Sequence, residues 1–224
     1  EIYGELDFEG AHVSIARHYP EGTIISSGLS KWCGAGGWRL GTFAFPAALD
    51  WLLEGMAVVS SETFTATSAP IQYAAVRAFR GGTRIEAYLS HSRRILKSLC
   101  GAVCRRLSEA GAIVAPPQGA FYIFPDFSPL KEQLSAHGIN TSTEMCERIL
   151  EETGVAILPG TAFGRPDHEL TARLALVDFD GAKALACAER YPMHEPLPEK
   201  FPEDCCFKVI EATEKLCEWM ITKT

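Results

Sequence analysis

The feature that most constrains the fold is a long amphipathic segment near the middle of the chain. Thr83 and Glu86 have the spacing of a capping box, which predicts a helix start, and Gly111 marks a helix end. Apolar residues recur between them at helical spacing, at Ile85, Leu89, Ile95, Leu96, Leu99, Val103 and Leu107. One continuous helix of this length would extend about 40 Å, which is enough to run from one domain into another. The sequence therefore predicts two domains, residues 1–85 and residues 86–224, joined through this helix.

The segments before the helix predict part of an α/β domain. The β-branched run "TIISS" at 23–27 is typical of a buried parallel strand that leads into a loop, and "GWRLGTFAF" at 37–45 predicts a second strand. Pro46 suits the first turn of a helix over 46–55. The opening stretch "EIYGEL" indicates the tail of a further strand. Because this strand is under way at Glu1, we expect the chain to be a fragment that lacks an N-terminal portion.

The segments after the helix predict a smaller α/β domain. Strands are expected in "AIVAP", "GAFYIFPDF", "GVAIL" and "RLALVDF". A second capping box, Thr141 with Glu144, predicts a helix that ends at Gly154. Residues 203–220 predict one C-terminal amphipathic helix.

Composition and charge exclude several classes of function. The chain has 224 residues, of which 47% are hydrophobic, so it can bury a sizeable core. Its 21 basic and 28 acidic residues give a net charge of −7 without a basic block, which argues against nucleic-acid binding. No apolar run reaches the roughly 18 to 20 residues that span a bilayer. The sequence therefore favours a protein without a nucleic-acid or membrane partner.

The cysteines favour reduced thiols in a cytosolic or organellar protein, and we expect a cytoplasmic location. The eight cysteines are scattered, apart from one adjacent pair, and lie at Cys33, Cys100, Cys104, Cys146, Cys187, Cys205, Cys206 and Cys217. Their spacing does not match the paired ligands of a zinc site, so no metal is predicted.

A glycine-rich stretch, "SGLSKWCGAGGWRLG" at 27–41, carries the candidate chemistry. Lys31 follows a predicted strand and is flanked by small residues, where desolvation favours a neutral, nucleophilic amine. The guanidinium of Arg39 can hold a phosphate through two hydrogen bonds, and the surrounding glycines let the backbone approach a ligand. A lysine that can form a Schiff base beside a phosphate-binding arginine suggests pyridoxal phosphate.

The motif Ser30-Lys31, a glycine-rich spacer and "GWRLG" at 37–41 resemble the lysine signature of fold-type I pyridoxal-phosphate aminotransferases of class I/II. The stretches "EIYGEL", "PPQGAFYIFPDF", "ILPGTAFG" and "RLALVDFDG" follow in the order that the family uses. The resemblance implies the end of a large three-layer α/β/α cofactor domain followed by the small α/β domain.

The resemblance also implies roles for individual residues. Lys31 would bind pyridoxal 5'-phosphate as a Schiff base and then move the proton at the substrate α-carbon. Arg39 would hold the cofactor phosphate, and Tyr3 would donate a hydrogen bond to the cofactor's phenolic oxygen. Arg173 would bind the substrate α-carboxylate. Ser27 is the candidate hydroxyl for the phosphate, although the family has its hydroxyl at the position that Gly28 occupies here.

The expected activity is transfer of an amino group between an L-amino acid and a 2-oxo acid, in a homodimer. The family's aspartate for the pyridinium nitrogen would fall just before Glu1, so we expect this chain alone to be inactive. A related lyase of the aminocyclopropane-carboxylate synthase type and the cofactor-sensing domain of a transcription regulator remain open, as does a purely structural half. The stretch at 62–72 has no arginine for a second substrate carboxylate, which disfavours strict aspartate specificity.

Overall fold

The computed structural model describes residues 1–64 and 66–223. The chain divides into two compact units, which we call unit 1 (Glu1–Ser90) and unit 2 (His91–Thr224). The division falls inside a continuous helix rather than in a flexible linker.

Unit 1 contains an antiparallel pair of strands, β1 (Ile25–Gly28) and β2 (Gly41–Ala44), with Ile25 opposite Ala44 and Gly28 opposite Gly41. The expected direction of the first strand was wrong, because β1 pairs antiparallel, and of its residues only Gly28 is buried. A Cβ at Gly28 would lie 2.7 Å from the carbonyl oxygen of Leu40, so the close approach of the two strands requires glycine there.

Helices make up most of the rest of unit 1. They are α1 (Asp50–Thr63) and α2 (Ala69–Phe79), with single 3₁₀ turns at Gly4–Leu6, Ile15–Arg17, Pro20–Gly22, Gly36–Trp38 and Ala47–Leu49. The opening stretch forms a 3₁₀ turn and not the expected strand. The helix predicted at 46–55 begins later and runs longer, because residues 47–49 form a 3₁₀ turn before α1.

The long helix α3 spans Thr83–Glu109, which confirms the helical periodicity. In its first turn, the Ile85 and Glu86 amides donate hydrogen bonds to the carbonyl of Gly82, the residue before the helix, at 2.9 and 3.0 Å. The buried stripe includes Leu99, Val103 and Leu107, which are inaccessible to solvent. Hydrophobic burial along one face therefore fixes its position in unit 2.

Unit 2 is built on a small antiparallel sheet of β3 (Tyr122–Ile123), β4 (Leu158–Pro159) and β5 (Ala172–Ala175), with β5 in the centre. Its remaining helices are α4 (Lys131–Ala136), α5 (Ser142–Thr153), α6 (Gly181–Ala188), α7 (Phe201–Cys205) and α8 (Phe207–Thr222). The capping box at Thr141 and the left-handed end at Gly154 are confirmed. The single C-terminal helix that we expected is two helices, because the backbone leaves the helical region at Cys206.

Among the described residues, no helix is both long and apolar enough to cross a membrane. Over the same residues, no group of three or more His, Cys, Asp and Glu side chains could hold a metal ion.

Candidate active site

The glycine-rich stretch forms a loop whose two ends are joined by the strand pair. Directly after β1, the Leu29 amide donates to the Leu40 carbonyl at 3.4 Å. Inside the loop, the Gly34 amide donates to Lys31 and the Ala35 amide donates to Leu29, both at 3.1 Å. The hydrogen bond between Leu29 and Leu40 therefore closes the loop. Lys31 lies two residues after its first end, and Arg39 lies one residue before its second end.

Lys31 is held by buried neighbours on both sides. Leu29 and Trp32 are 1% and 5% exposed, and the Trp32 ring meets Phe79 edge to face at 5.8 Å. The half-buried Lys31 places its Nζ 5.9 Å from the centre of the Tyr3 ring, within the range of a cation–π contact. The structure thus brings together the predicted nucleophile and the predicted phenol.

Arg39 has a strained backbone. Its φ of 53° is in the left-handed region, which costs a residue with a side chain about 1–2 kcal/mol. Its Nη1 donates to the Gly36 carbonyl at 2.8 Å, and a Cβ at Gly37 would meet no other atom within 4 Å. The exposed guanidinium of Arg39 is therefore held against the Gly36–Trp38 turn, in which the space around Gly37 is open. Local strain of this kind is common where a side chain is aimed at a ligand.

Ser27 lies in a different electrostatic setting from Lys31 and Arg39. It pairs with Thr42 across the two strands and lines a groove that also contains Glu1, Glu5 and Glu86. Carboxylates in this groove disfavour a phosphate dianion near the Ser27 hydroxyl.

Arg173 lies on β5 in unit 2, opposite Leu158 of β4. Its guanidinium carbon is 4.4 Å from the centre of the Tyr122 ring and 4.5 Å from that of Phe163. Its Nε is buried and has no hydrogen-bond partner among the residues that the structure describes. Stacking occupies the faces of a guanidinium and leaves its N–H edge for a planar acceptor such as a carboxylate.

Tyr122 and Phe163 are functional candidates to which no sequence motif assigns a role. Each belongs to a stretch quoted above, "GAFYIF" and "PGTAFG", whose apolar residues suit core packing equally well. Near the first of them, Ala120 has a positive φ of 59°, and Phe163 ends a 3₁₀ turn before Gly164 at φ 77°. Only the fold shows that both rings contact the same arginine.

The predicted site residues are therefore divided between the two units. Tyr3, Ser27, Lys31 and Arg39 lie in unit 1, and Arg173 lies in unit 2. The stretch at 62–72, which bears on substrate choice, includes Thr65, which lies outside the described residues.

Comparison with known proteins places this chain in one protein family. The family model for aminotransferase class I and II matches residues 1–176. The chain therefore belongs to the class I and II aminotransferase family, and the resemblance on which the sequence analysis depended is confirmed.

Individual relatives agree with this placement. The chain is 34% identical over 173 residues to an aspartate aminotransferase of Geobacillus stearothermophilus, covering 75% of this chain and 42% of that protein. It superposes on a double mutant of Thermus thermophilus aspartate aminotransferase with a TM-score of 0.71 and 26% identity, covering 97% of this chain and 46% of that one. An aromatic aminotransferase from Pyrococcus horikoshii gives a TM-score of 0.72 and 28% identity, with coverage of 99% and 50%. The chain thus spans half or less of the length of each of these relatives.

Proposed function

We propose that the protein containing this chain transfers an amino group between an L-amino acid and a 2-oxo acid, with pyridoxal phosphate bound at Lys31. The observation that carries the proposal is the glycine-rich loop, which holds Lys31 beside Tyr3 and returns Arg39 to the same stem. Membership in the aminotransferase family supports this assignment.

The residues present fit this cofactor, which has an aldehyde, a phenolic oxygen and a phosphate. Lys31 supplies a primary amine, Tyr3 a hydroxyl and Arg39 a guanidinium, and the bare turn at Gly37 leaves room for a ligand. Bound there, the cofactor supplies an electron sink for the negative charge at the substrate α-carbon. Ser27 takes no part in our proposal for the phosphate, because it lines a groove shared with three carboxylates.

Lys31 has two tasks in this proposal. Its Nζ would hold the cofactor through the aldehyde carbon, and the same amine, when free, would accept the α-proton of the substrate. The buried side chains of Leu29 and Trp32 restrict the backbone on either side of Lys31. The Lys31 amine can therefore change position by side-chain rotation while its backbone stays in place.

Arg173 binds the substrate α-carboxylate in this proposal. Tyr122 and Phe163 hold its guanidinium between their rings, which keeps its N–H edge oriented and excludes water from its faces. A carboxylate would satisfy the buried Nε, for which the described part of the chain offers no hydrogen-bond partner. A lysine cannot reproduce this geometry, since an ammonium ion is not planar.

The activity requires more protein than these 224 residues. No residue of α1 is buried, and Trp51, Val58 and Val59 are 69%, 67% and 61% exposed. An apolar surface of this kind is normally covered by further protein. We propose that a further portion of the enzyme covers it, that the enzyme is a cytoplasmic homodimer, and that the chain alone is inactive.

The test is an aminotransfer assay on a protein that includes this chain and its further portion, supplied with aspartate, aromatic and neutral amino acids. We expect Lys31→Ala to lower kcat about 10²- to 10⁴-fold. Arg173→Lys should raise KM about 10-fold or more and lower kcat less, because the paired hydrogen bonds to the carboxylate are lost. Lys131→Ala, at an exposed lysine of α4, is the control and should leave both constants unchanged.

Product analysis separates this function from the alternatives. An aminotransferase returns one oxo acid for each acceptor that gains an amino group, whereas a related lyase releases a product without an aminated acceptor. A sensor domain would bind the cofactor without turnover. Turnover that is insensitive to Lys31→Ala would contradict the proposal.

A further inference from the structure

Three cysteines lie close together in unit 2, beyond the residues that the family model matches. Cys187 is in the last turn of α6, Cys205 is the last residue of α7, and Cys206 follows directly. The helices α6 and α7 pack against each other. The family assignment therefore gives these thiols no role.

Two of the three thiols are in contact. The Cys187 and Cys205 side chains are within hydrogen-bonding reach of one another, and both are free thiols. Cys187 is half-buried, whereas Cys205 is 6% exposed and Cys206 is inaccessible. Cys187 is therefore the most solvent-accessible of the three residues.

The chain that joins the two helices is held in place by α3. Arg105 forms an ion pair with Glu199 at 3.6 Å, and Arg106 forms one with Glu203. Nearer the start of the connection, Nη1 of Arg94 contacts Sδ of Met193 at 3.9 Å. These contacts hold both ends of the connection, so the two thiols meet without a large search of conformations.

We propose that Cys187 and Cys205 form a reversible intramolecular disulfide when the protein meets a hydroperoxide. The peroxide oxidises the Cys187 thiol to a sulfenic acid and is reduced, which releases one water molecule or alcohol. The Cys205 sulfur then attacks the Cys187 sulfur, the S–S bond forms, and the sulfenic oxygen leaves as water. Overall, two thiols lose two protons and two electrons, and a thiol reductant reverses the change.

Burial supports this order of events. Burial, together with the contact with Cys187, raises the pKa of the Cys205 thiol to about 11, and burial raises that of Cys206 to about 12. Both thiols are thus protonated at neutral pH and react slowly with peroxide themselves. The more accessible Cys187 is the site of first oxidation, and Cys205 is the thiol beside it.

The test is peptide mapping of the 224-residue chain after treatment with hydrogen peroxide. Trypsin releases the two cysteines on separate peptides, residues 184–190 and 201–208. We expect a linked pair that is lighter than the two peptides by two hydrogen atoms and that disappears on reduction with dithiothreitol. Oxidation should also raise the midpoint of thermal unfolding by roughly 5 °C, because the bond restricts the unfolded chain.

Three variants assign the bond. The linked pair should persist in Cys206→Ser and in the matched control Cys33→Ser, a half-buried cysteine of unit 1, and be absent in Cys187→Ser. Fragmentation of the linked peptides from the wild-type chain locates the bond without any substitution. A bond between Cys205 and Cys206, a bond between two chains, or peroxide-treated Cys187 that carries only sulfinic acid would each overturn the proposal.

Discussion

Unit 1 and unit 2 differ in how much of their apolar surface they bury by themselves. The buried apolar side chains of unit 1, among its described residues, are Leu6, Leu29, Trp32, Leu40, Ala75 and Leu89. Unit 2 holds the large majority of the core, including Phe127, Leu134 and Met145 with no solvent exposure. Unit 2 thus has the packing of a complete domain. Unit 1 has a well-defined glycine-rich loop but only a small hydrophobic core of its own.

Helices α1 and α5 show the same difference at the level of one element. In α5 the capping box of Thr141 begins the helix, Gly154 ends it, and one face buries Met145 and Ile149. By contrast, α1 has no side-chain cap and no buried residue, although it is rich in apolar side chains. A helix that is apolar on most of its sides requires contact with protein on more than one side. The glycine-rich loop of unit 1 is therefore defined by its own local contacts, whereas the domain around it depends on contacts that unit 1 does not supply by itself.

The largest expected effect comes from a matched pair of phenylalanines. Phe127→Ala in unit 2 should lower the free energy of unfolding by about 3–5 kcal/mol, because it removes a fully buried ring and leaves a cavity. Phe43→Ala in unit 1 should change it by less than about 0.5 kcal/mol, since Phe43 is 58% exposed. Urea titration followed by circular dichroism measures both. Equal losses would remove the distinction between the units.

A smaller effect is expected from an acidic residue of unit 2 at low pH. The Lys223 ammonium, together with the indole of Trp219, lowers the pKa of Glu152, whose carboxylate lies 3.0 and 2.8 Å from them. A lowered pKa in the folded state means that the stabilisation is present above the unfolded pKa, near 4.3, and is lost as the pH falls through the folded value.

Glu152→Gln should therefore cost about 1 kcal/mol at pH 7, an amount discounted for partial exposure, and less at pH 3. Thermal unfolding as a function of pH measures this difference. Glu147→Gln, at an exposed position of the same helix, is the control. A cost for Glu152→Gln that does not change between pH 7 and pH 3 would contradict the argument.

The helix caps give the next comparison. Thr141→Ala should lower the free energy of unfolding by about 1 kcal/mol. The Thr141 hydroxyl accepts a hydrogen bond from the Glu144 amide at 3.2 Å, and the reciprocal hydrogen bond of the capping box is also present. Ser68→Ala, at the N-cap of α2 in unit 1, should cost less than about 0.5 kcal/mol, since the Ser68 side chain makes no capping hydrogen bond. Chemical denaturation compares the two variants, and a larger cost for Ser68→Ala would reverse the expected order.

Local signals predicted the elements that depend on local interactions. The periodicity of α3, the capping box of α5 and the strand that contains Arg173 were all readable from the sequence, because caps and hydrophobic stripes act within a few residues. The direction of β1 could not be predicted from the sequence, because strand direction depends on which other segment of the chain becomes the pairing partner. Similarly, the stacking of Tyr122 and Phe163 on Arg173 joins three separate stretches of chain, and no spacing rule indicates it.

For this chain by itself, the smallest expected effect is at the exposed face of α1. Val58→Lys should change the free energy of unfolding of this chain by less than about 0.5 kcal/mol, as should Leu150→Lys at a comparably exposed position of α5. In a longer protein that covers α1, only the change at Val58 should become costly, by about 2 kcal/mol or more, because a charge would then be buried. Thermal unfolding of both proteins tests this. An equally small cost at Val58 in the longer protein would show that α1 stays exposed.

Covalent capture of the cofactor at Lys31 tests the central claim most directly. A protein that includes this chain and its further portion is incubated with pyridoxal phosphate, its visible absorbance is recorded, and it is then reduced with borohydride and mapped by mass spectrometry. The account predicts a visible absorbance band and a reduced adduct on Lys31, both lost in Lys31→Ala and retained in Lys131→Ala. An adduct spread evenly over surface lysines such as Lys131, or a band that does not depend on Lys31, would contradict it.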